Sequence, residues 1–168
     1  LISLKKGIYT SKDYINDAQK KRTYIHYAEF LSGVLYQPSY LSTEYILAKS
    51  GIIPEAVYSY TLITKNKTKN FQNELASFIY CHIKDELFCG YEIKNKRDFV
   101  IYEATTAKAL FDFLYLRKNS LSFDYIAEDF RFNLTEFTKK EIKEFSKYVE
   151  LEGSKRMKHI FKDLFSKK

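Results

Sequence analysis

The feature that most constrains the fold is a strongly apolar segment over residues 106–117. Its apolar side chains follow helical spacing and cover most of the helix circumference, so a helix here has to be buried on most sides. These positions are Ala109, Leu110, Phe113, Leu114 and Leu116. Thr105 opens the segment as a helix-starting residue. We therefore predict a helix that packs against a sheet supplied by the preceding residues.

The residues before this helix are rich in β-branched and aromatic side chains, which favour strands. The predicted strands cover residues 56–64, 71–72, 75–84, 87–93 and 99–103. A polar turn without glycine, 65–70, separates the first two. Short connections of this kind favour antiparallel pairing. We predict a mostly antiparallel sheet of four to six strands.

The first fifty residues are predicted to be mainly helical. Residues 1–10 alternate apolar and polar side chains, which predicts one short strand whose partner lies upstream. Polar residues 11–22 are predicted as a connector or the start of a helix, and apolar spacing predicts a helix over 24–35. Ser42 is the expected N-cap of a helix over 43–50, which Gly51 ends.

The C-terminal part is also predicted to be helical. A short helix or turn is expected near 123–130, followed by helices over about 139–149 and 154–165 with a break near Gly153. Together with the sheet, this predicts an α+β fold: a mostly antiparallel sheet flanked by helices, with a helical C-terminal extension.

Composition sets the broad class of protein. The chain has 168 residues, of which 45% are apolar, enough for a domain with a core. Cys81 and Cys89 do not suggest a disulfide framework, and no apolar run is long enough to span a membrane. We therefore expect a cytoplasmic protein with free thiols and no membrane partner.

The formal net charge of +7 favours a polyanion or an acidic partner, although an AT-rich genome also produces such compositions. Because the chain begins at Leu1 and its only methionine is Met157, we expect a fragment, a processed product or the ordered part of a longer protein.

Three segments, in order along the chain, resemble a known family. They are PSYLSTEY with GIIPEAVY (38–45 and 51–58), FIYCHIK with ELF and GY (78–84, 86–88 and 90–91), and ATTAKALFDFLYLR (104–117). Together they resemble the AbiEi family of antitoxins from type IV toxin–antitoxin and phage abortive-infection systems. The resemblance covers about residues 36–117 and departs from the family at Thr106-Ala107, where Pro-Glu is usual. LKKGIY, at 4–9, resembles the end of the wing in the family's N-terminal winged helix-turn-helix.

The resemblance implies a two-part protein that is not an enzyme and uses no cofactor. Residues 1–10 would be the remnant of the wing, 11–22 a connector and 23–168 the antitoxin domain. The N-terminal module, with its recognition helix upstream, would bind promoter DNA and repress its own operon. The antitoxin domain would neutralise a nucleotidyltransferase-like toxin, with no need for a stable complex.

Two basic clusters are candidate binding surfaces. The expected DNA contacts are Lys5, Lys6, Lys20, Lys21 and Arg22, because wing lysines usually contact phosphates. The expected surface for a partner protein or a nucleic acid consists of Lys139, Lys140, Lys143, Lys147, Lys155, Arg156, Lys158 and Lys162. The alternatives are a solvated linker for the first cluster and a solvated helix face for the second.

Three polar residues within the predicted elements have structural interpretations. Lys108 and Asp112 are four residues apart in the apolar helix, and we expect an ion pair on its one exposed stripe. His82 has no further ligands at metal-binding spacing, so we expect a structural histidine.

One pattern suggests an enzyme. Glu92 and Lys94 form an E-x-K on a predicted strand, seven residues after Asp85, as in Mg²⁺-dependent nucleases of the restriction type. The favoured interpretation is a solvated strand end. Since the sequence also lacks a phosphate loop and a nucleophile motif, we assign no catalytic residue and no metal ligand. The alternatives to an antitoxin are a stand-alone transcriptional regulator and, less favoured, such a nuclease.

Overall fold

The fold is built around a six-stranded sheet with helices on both sides. The structure is a computed structural model, and it describes residues 1–121 and 125–166. The strands are β1 (Ile2–Lys5), β2 (Ile8–Thr10), β3 (Ser39–Leu41), β4 (Ser59–Thr64), β5 (Lys69–Gln72), β6 (Ser77–His82), β7 (Tyr91–Lys96) and β8 (Phe99–Ala104). The helices are α1 (Lys12–Lys20), α2 (Tyr24–Leu35), α3 (Thr43–Lys49), α4 (Thr106–Arg117), α5 (Ile126–Asp129), α6 (Lys139–Glu152) and α7 (Lys155–Phe165). Single 3₁₀ turns lie at Asp85–Leu87 and Leu134–Glu136. The predicted α+β class is confirmed.

The strand order in the sheet is β5-β6-β4-β3-β8-β7, and three of its five pairings are antiparallel. This confirms the predicted mostly antiparallel sheet of four to six strands. β4 and β6 depart from this pattern and run parallel, because β5 folds back along the outer edge of β6. β3 and β8 are also parallel, and one residue pair, Leu41 with Glu103, joins them.

Helices cover both faces of the sheet. Neighbouring residues of a strand point to opposite faces, and the register of β3, β4 and β6 places Tyr40 and Tyr80 on opposite ones. Tyr80 Oη donates to the carbonyl of Ser32 in α2 at 2.5 Å, whereas Tyr40 Oη donates to Asp112 of α4 at 3.0 Å. The central strands are therefore enclosed between α2 and α4, and the buried side chains form one core.

The first ten residues form a hairpin of their own. β1 pairs antiparallel with β2, and the chain turns through Gly7, whose φ of +82° is a conformation that glycine adopts without strain. The prediction of one strand with its partner upstream is therefore wrong. Ile2 and Leu4 are buried in the same core as the rest of the protein.

Most predicted helices of the N-terminal and middle regions are present. The polar residues 11–22, predicted as a connector or the start of a helix, contain helix α1, which Ser11 caps. α2 and α4 span the predicted residues, and Ser42 precedes α3 as expected. The stretch predicted near 123–130 contains α5, while 123 and 124 lie outside the described residues.

The two predicted C-terminal helices are α6 and α7, and they meet at Gly153, whose φ is +79°. α6 begins with a capping box. The amide of Glu141 donates to Thr138 Oγ1 at 3.2 Å, and the amide of Thr138 donates to Glu141 Oε2 at 2.8 Å. α6 packs against both α4 and α7, so this start fixes the C-terminal extension against the core.

Replacing Thr138 with alanine breaks the capping box, because the amide of Glu141 loses its acceptor, Thr138 Oγ1. We expect Thr138→Ala to lower the free energy of unfolding by about 1 kcal/mol, measured by urea denaturation. Lys143 lies exposed in the same helix and provides the control. Lys143→Ala should change the free energy of unfolding by less than about 0.5 kcal/mol, and an equal loss in both variants would contradict the assigned role.

Candidate functional site

The centre of α4 carries two charged side chains into the core. α4 packs against α3, α6 and β8, and every residue from 107 to 114 is buried. Thr105 Oγ1 accepts from the amide of Lys108 at 3.1 Å and starts the helix. Lys108 and Asp112, one turn apart, are both fully buried and form an ion pair. The prediction that this pair lies on an exposed stripe is wrong, because packing on several sides leaves the middle of α4 no exposed stripe.

Two hydroxyl groups complete the surroundings of the Asp112 carboxylate. Its Oδ2 accepts from Tyr40 Oη at 3.0 Å and from Ser42 Oγ at 2.7 Å, while Lys108 Nζ also donates to Tyr40 Oη at 3.0 Å. Burial raises the pKa of Asp112, whereas Lys108, Ser42 and Tyr40 act to lower it. Burial and the nearby carboxylate raise the pKa of Tyr40 well above its ordinary value. All four side chains are buried, so we call Lys108, Asp112, Tyr40 and Ser42 the buried charge cluster.

Aromatic rings and one glycine close the space around the ammonium group. Lys108 Nζ lies 5.2 Å from the ring centroid of Phe111 and 5.5 Å from that of Tyr148, distances typical of cation–π contacts. A Cβ atom on Gly90 would lie 2.3 Å from Tyr148 Oη and 2.9 Å from Lys108 Cδ, so only glycine fits there. The cluster is therefore tightly packed, and it is suited to stabilising the fold rather than to reacting with a substrate.

The buried charge cluster joins the three segments on which the family resemblance rests. Tyr40 and Ser42 belong to the first segment, Gly90 to the second, and Lys108 and Asp112 to the third. Ser42 precedes α3 but gives its hydroxyl to Asp112, so its side chain makes no capping hydrogen bond to that helix. Residues from all three resembling segments thus meet at one place in three dimensions.

A second network surrounds Glu29, which is buried in α2. Its Oε1 accepts from Lys49 Nζ at 2.7 Å and from Tyr45 Oη at 2.9 Å, and its Oε2 lies 3.4 Å from Lys96 Nζ. Glu103 of β8 also contacts both lysines. Burial alone would raise the pKa of Glu29, but Lys49, Tyr45 and Lys96 more than offset it, so the pKa lies below its ordinary value. This network ties α2 to α3 and to the β7–β8 hairpin.

A cavity of about 530 Å³ lies near the junction of β3 and β8. α2 contributes Phe30 to its lining, and the strands around the junction contribute Ser39, Tyr91 and Tyr102. Ser39 Oγ is the one buried side-chain oxygen or nitrogen of the described residues that lacks a hydrogen-bond partner. The cavity is within the size range of small-molecule sites, and its lining is mostly apolar, with Glu29 as its charged residue.

The basic residues predicted to contact DNA lie in the N-terminal hairpin and at the C-terminal end of α1, in different environments. Lys5 is partly buried and its Nζ donates to the carbonyl of Leu35 at 2.8 Å. Lys21 is paired with Asp17 at 2.7 Å on the surface of α1. Lys6, Lys20 and Arg22 are exposed. The structure therefore divides the set between the hairpin and the end of α1, and it directs Lys5 towards the protein.

The second basic set follows the surfaces of α6 and α7. Its exposed members are Lys139, Lys140, Lys143, Lys147, Lys155, Lys158 and Lys162. Lys158 also lies 3.4 Å from Glu150. Arg156 differs from the others because its guanidinium donates to the carbonyls of Lys118, at 2.8 Å, and of Leu121. Arg156 thus holds the chain that follows α4, and each helix presents a stripe of lysines.

Of the residues considered for nuclease chemistry, Glu92 and Lys94 share the lining of an open pocket with Glu103, Glu141 and Glu144, and Asp85 is not part of that lining. Lys94 Nζ donates to Glu92 Oε2 at 2.5 Å, and Asp85 lies in a separate 3₁₀ turn. Within 1–121 and 125–166, no three His, Cys, Asp or Glu side chains are grouped so as to hold a metal ion. His82 Nδ1 lies 3.0 Å from the carbonyl oxygen of Lys65, which fits the predicted structural role.

Comparisons with known proteins give no relatives. No family model, no curated protein and no solved structure matches this chain.

None of the helices in the described part of the chain is both long and apolar enough to cross a membrane. Cys81 and Cys89 are free thiols, and burial raises the pKa of each.

Sequence reasoning missed two features of this region, and both had a signal. Lys108 and Asp112 are the only charged residues between Thr106 and Leu116, and a helix that must be buried on most sides can carry them inside only as a pair. Glu29 is the only acidic residue of α2, next to apolar positions of that helix. A lone charge on an apolar face points to a buried network.

Replacing Lys108 with methionine leaves the Asp112 carboxylate buried without its cation. We expect Lys108→Met to lower the free energy of unfolding by about 3–5 kcal/mol near neutral pH, measured by urea denaturation. The matched control is Lys147→Met, which makes the same change at an exposed position of α6 and should cost less than about 0.5 kcal/mol. A loss below about 1 kcal/mol for Lys108→Met would show that the ion pair is not important for stability.

The Glu29 network should make stability depend on pH. Because the pKa of Glu29 is lower in the folded protein than in the unfolded chain, its carboxylate stabilises the fold above the unfolded pKa, and this stabilisation is lost as the pH falls through the folded pKa. We expect Glu29→Gln to lower the free energy of unfolding by about 1–3 kcal/mol near pH 7. The difference from the unsubstituted protein should shrink towards about pH 3.

Urea denaturation at several pH values measures this dependence. Glu86→Gln, at an exposed position, serves as the control and should follow the unsubstituted protein at every pH. A difference for Glu29→Gln that grows as the pH falls would contradict the assigned network.

Proposed function

We propose that this chain is the antitoxin body of an AbiEi-type toxin–antitoxin system that acts in the cytoplasm. It neutralises a nucleotidyltransferase-like toxin through binding and catalyses no reaction. A winged helix-turn-helix module ahead of residue 1 binds promoter DNA, and residues 1–10 form the end of its wing.

One observation carries the proposal: residues from all three segments that resemble the family meet at one buried site. A resemblance caused by composition would fall on side chains scattered over the surface. Here Tyr40, Ser42, Gly90, Lys108 and Asp112 meet in the buried charge cluster. This supports a shared fold, and the function follows from the family.

The exposed basic residues support a function that depends on electrostatic binding. The buried charge cluster is internally paired, and Glu92 and Lys94 pair with each other. Within 1–121 and 125–166, neither group belongs to a set of three side chains placed to hold a metal ion. The lysine stripe of α6 is exposed and offers long, mobile cations to an acidic surface of the toxin. In the hairpin region, Lys6, Lys20 and Arg22 are free to contact DNA phosphates, which add affinity without reading sequence.

Growth of cells that express the toxin tests the proposal. The product of an adjacent nucleotidyltransferase-like gene should stop growth, and co-expression of this chain should restore it. Lys143→Glu with Lys147→Glu should abolish the rescue, because the two substitutions reverse the charge of the stripe on α6. The control reverses two exposed lysines elsewhere, Lys67→Glu with Lys84→Glu, and should leave the rescue intact.

The outcomes test the antitoxin function and the role of the α6 lysine stripe separately. If the unsubstituted chain fails to rescue growth although it is expressed and folded, the antitoxin proposal is wrong. If both charge-reversed variants rescue equally well, the antitoxin role stands and the α6 stripe is not the neutralising surface.

A further inference from the structure

β7 is a free edge of the six-stranded sheet. Among residues 1–121 and 125–166, β8 is its only strand neighbour and its main packing partner. Free edges of this kind present unpaired backbone groups to other chains, and many proteins block them with charged residues. The charges on β7 therefore decide whether this edge repels a second strand or accepts one.

The β7–β8 hairpin also exposes an apolar face. Ile93 is 59% exposed, Val100 45%, Tyr102 42% and Tyr91 36%. The register pairs Ile93 with Tyr102 and Asn95 with Val100, which places these side chains on one face of the hairpin. Large apolar side chains grouped in this way are typical of an interaction surface.

Hydrogen bonding along the hairpin defines which backbone groups point outward. The amide of Thr105 donates to the carbonyl of Gly90 at 3.1 Å, so this pair is hydrogen bonded. In an antiparallel ladder such pairs alternate with pairs that are not hydrogen bonded. The backbone groups of Tyr91, Ile93 and Asn95 therefore point away from β8, towards the free side of the edge.

The charge pattern of β7 is complementary to that of a second copy of β7. If two copies of β7 pair antiparallel with Ile93 opposite Ile93, then Glu92 of each copy lies opposite Lys94 of the other. In the single chain these two side chains already pair with each other, at 2.5 Å. Two copies bring two carboxylates and two ammonium groups together in alternation, and opposite charges across strands stabilise pairing. The same register gives every outward backbone group of Tyr91, Ile93 and Asn95 a partner.

We propose that β7 pairs with β7 of a second copy of this chain, about a two-fold axis through Ile93, and joins the two sheets into one of twelve strands. The axis makes the apolar faces of the two hairpins continuous through the neighbouring Ile93 side chains. The proposal does not depend on the antitoxin function. Because an edge of six residues is smaller than a typical permanent interface, the dimer forms reversibly, with a dissociation constant in roughly the micromolar range.

Charge reversal tests the register. Glu92→Lys puts lysine opposite lysine, and Lys94→Glu puts glutamate opposite glutamate, so each variant alone should dimerise at least about tenfold more weakly. A mixture of the two variants restores both opposite-charge contacts and should recover the dimer as a heterodimer. Sedimentation equilibrium over a range of concentrations measures each case. Glu86→Lys and Lys67→Glu make the same charge changes away from the edge and should dimerise normally.

Cysteine and proline substitutions test the axis independently. Hydrogen-bonded antiparallel pairs have Cα atoms about 5.5 Å apart, which suits a disulfide. Ile93→Cys should therefore form a disulfide-linked dimer under mild oxidation, while Asn95→Cys, away from the axis, should not. Ile93→Pro removes only an outward amide, so the monomer should stay folded by circular dichroism while dimerisation is lost.

The results either support or overturn the proposal. Weakened single charge variants, recovery in their mixture and selective linkage at Ile93 would support it. A monomer at every concentration would overturn it, as would a dimer that none of these substitutions changes.

Discussion

The ion pair between Lys108 and Asp112 is the interaction on which the rest of the structure depends. Burying two charges is costly unless each is paired and hydrogen bonded, and here Tyr40 and Ser42 supply the remaining partners of the carboxylate. These partners come from distant parts of the chain, at sequence separations of 72 and 70 residues. In an alternative fold, the two charges would be buried or exposed without these hydroxyl partners. The ion pair therefore favours the observed arrangement of β3, α3 and α4.

The buried ion pair also restricts which residues can lie next to it. Gly90 can have no side chain because Tyr148 and Lys108 fill the space next to its Cα. α6 closes the cluster with Tyr148 and carries the exposed lysine stripe on another side. The interior therefore positions the surfaces that we propose to act: the stripe on α6 for the toxin and the β7 edge for a second copy.

Local patterns predicted much of the fold. The apolar segment 106–117, the capping residues and Gly153 gave α4, α6 and α7 nearly as the structure has them, because these signals depend on neighbours within a few residues. Strand neighbours were not predictable in the same way. Whether β4 pairs with β5 or with β6 depends on contacts between distant residues, and the alternation of residues 1–10 could not show that Gly7 turns the strand back on itself.

The candidate surfaces were predicted less well than the helices that carry them. Helical spacing placed the lysines of α6 correctly on the exterior, but it also assigned Arg156 to that surface, although its guanidinium binds the carbonyls of Lys118 and Leu121. Lys5 is a similar case, since its ammonium group is held by the carbonyl of Leu35. In both cases a tertiary contact with a distant backbone group decides the direction of the side chain.

A double-mutant cycle on the buried ion pair tests the central claim most directly. The free energies of unfolding of Lys108→Met, Asp112→Asn and the double variant, compared with the unsubstituted protein, give the coupling energy of the two side chains. We predict a coupling of at least about 2 kcal/mol, with the double variant more stable than the sum of the single losses implies. Additive losses would contradict the claim that this pair organises the fold.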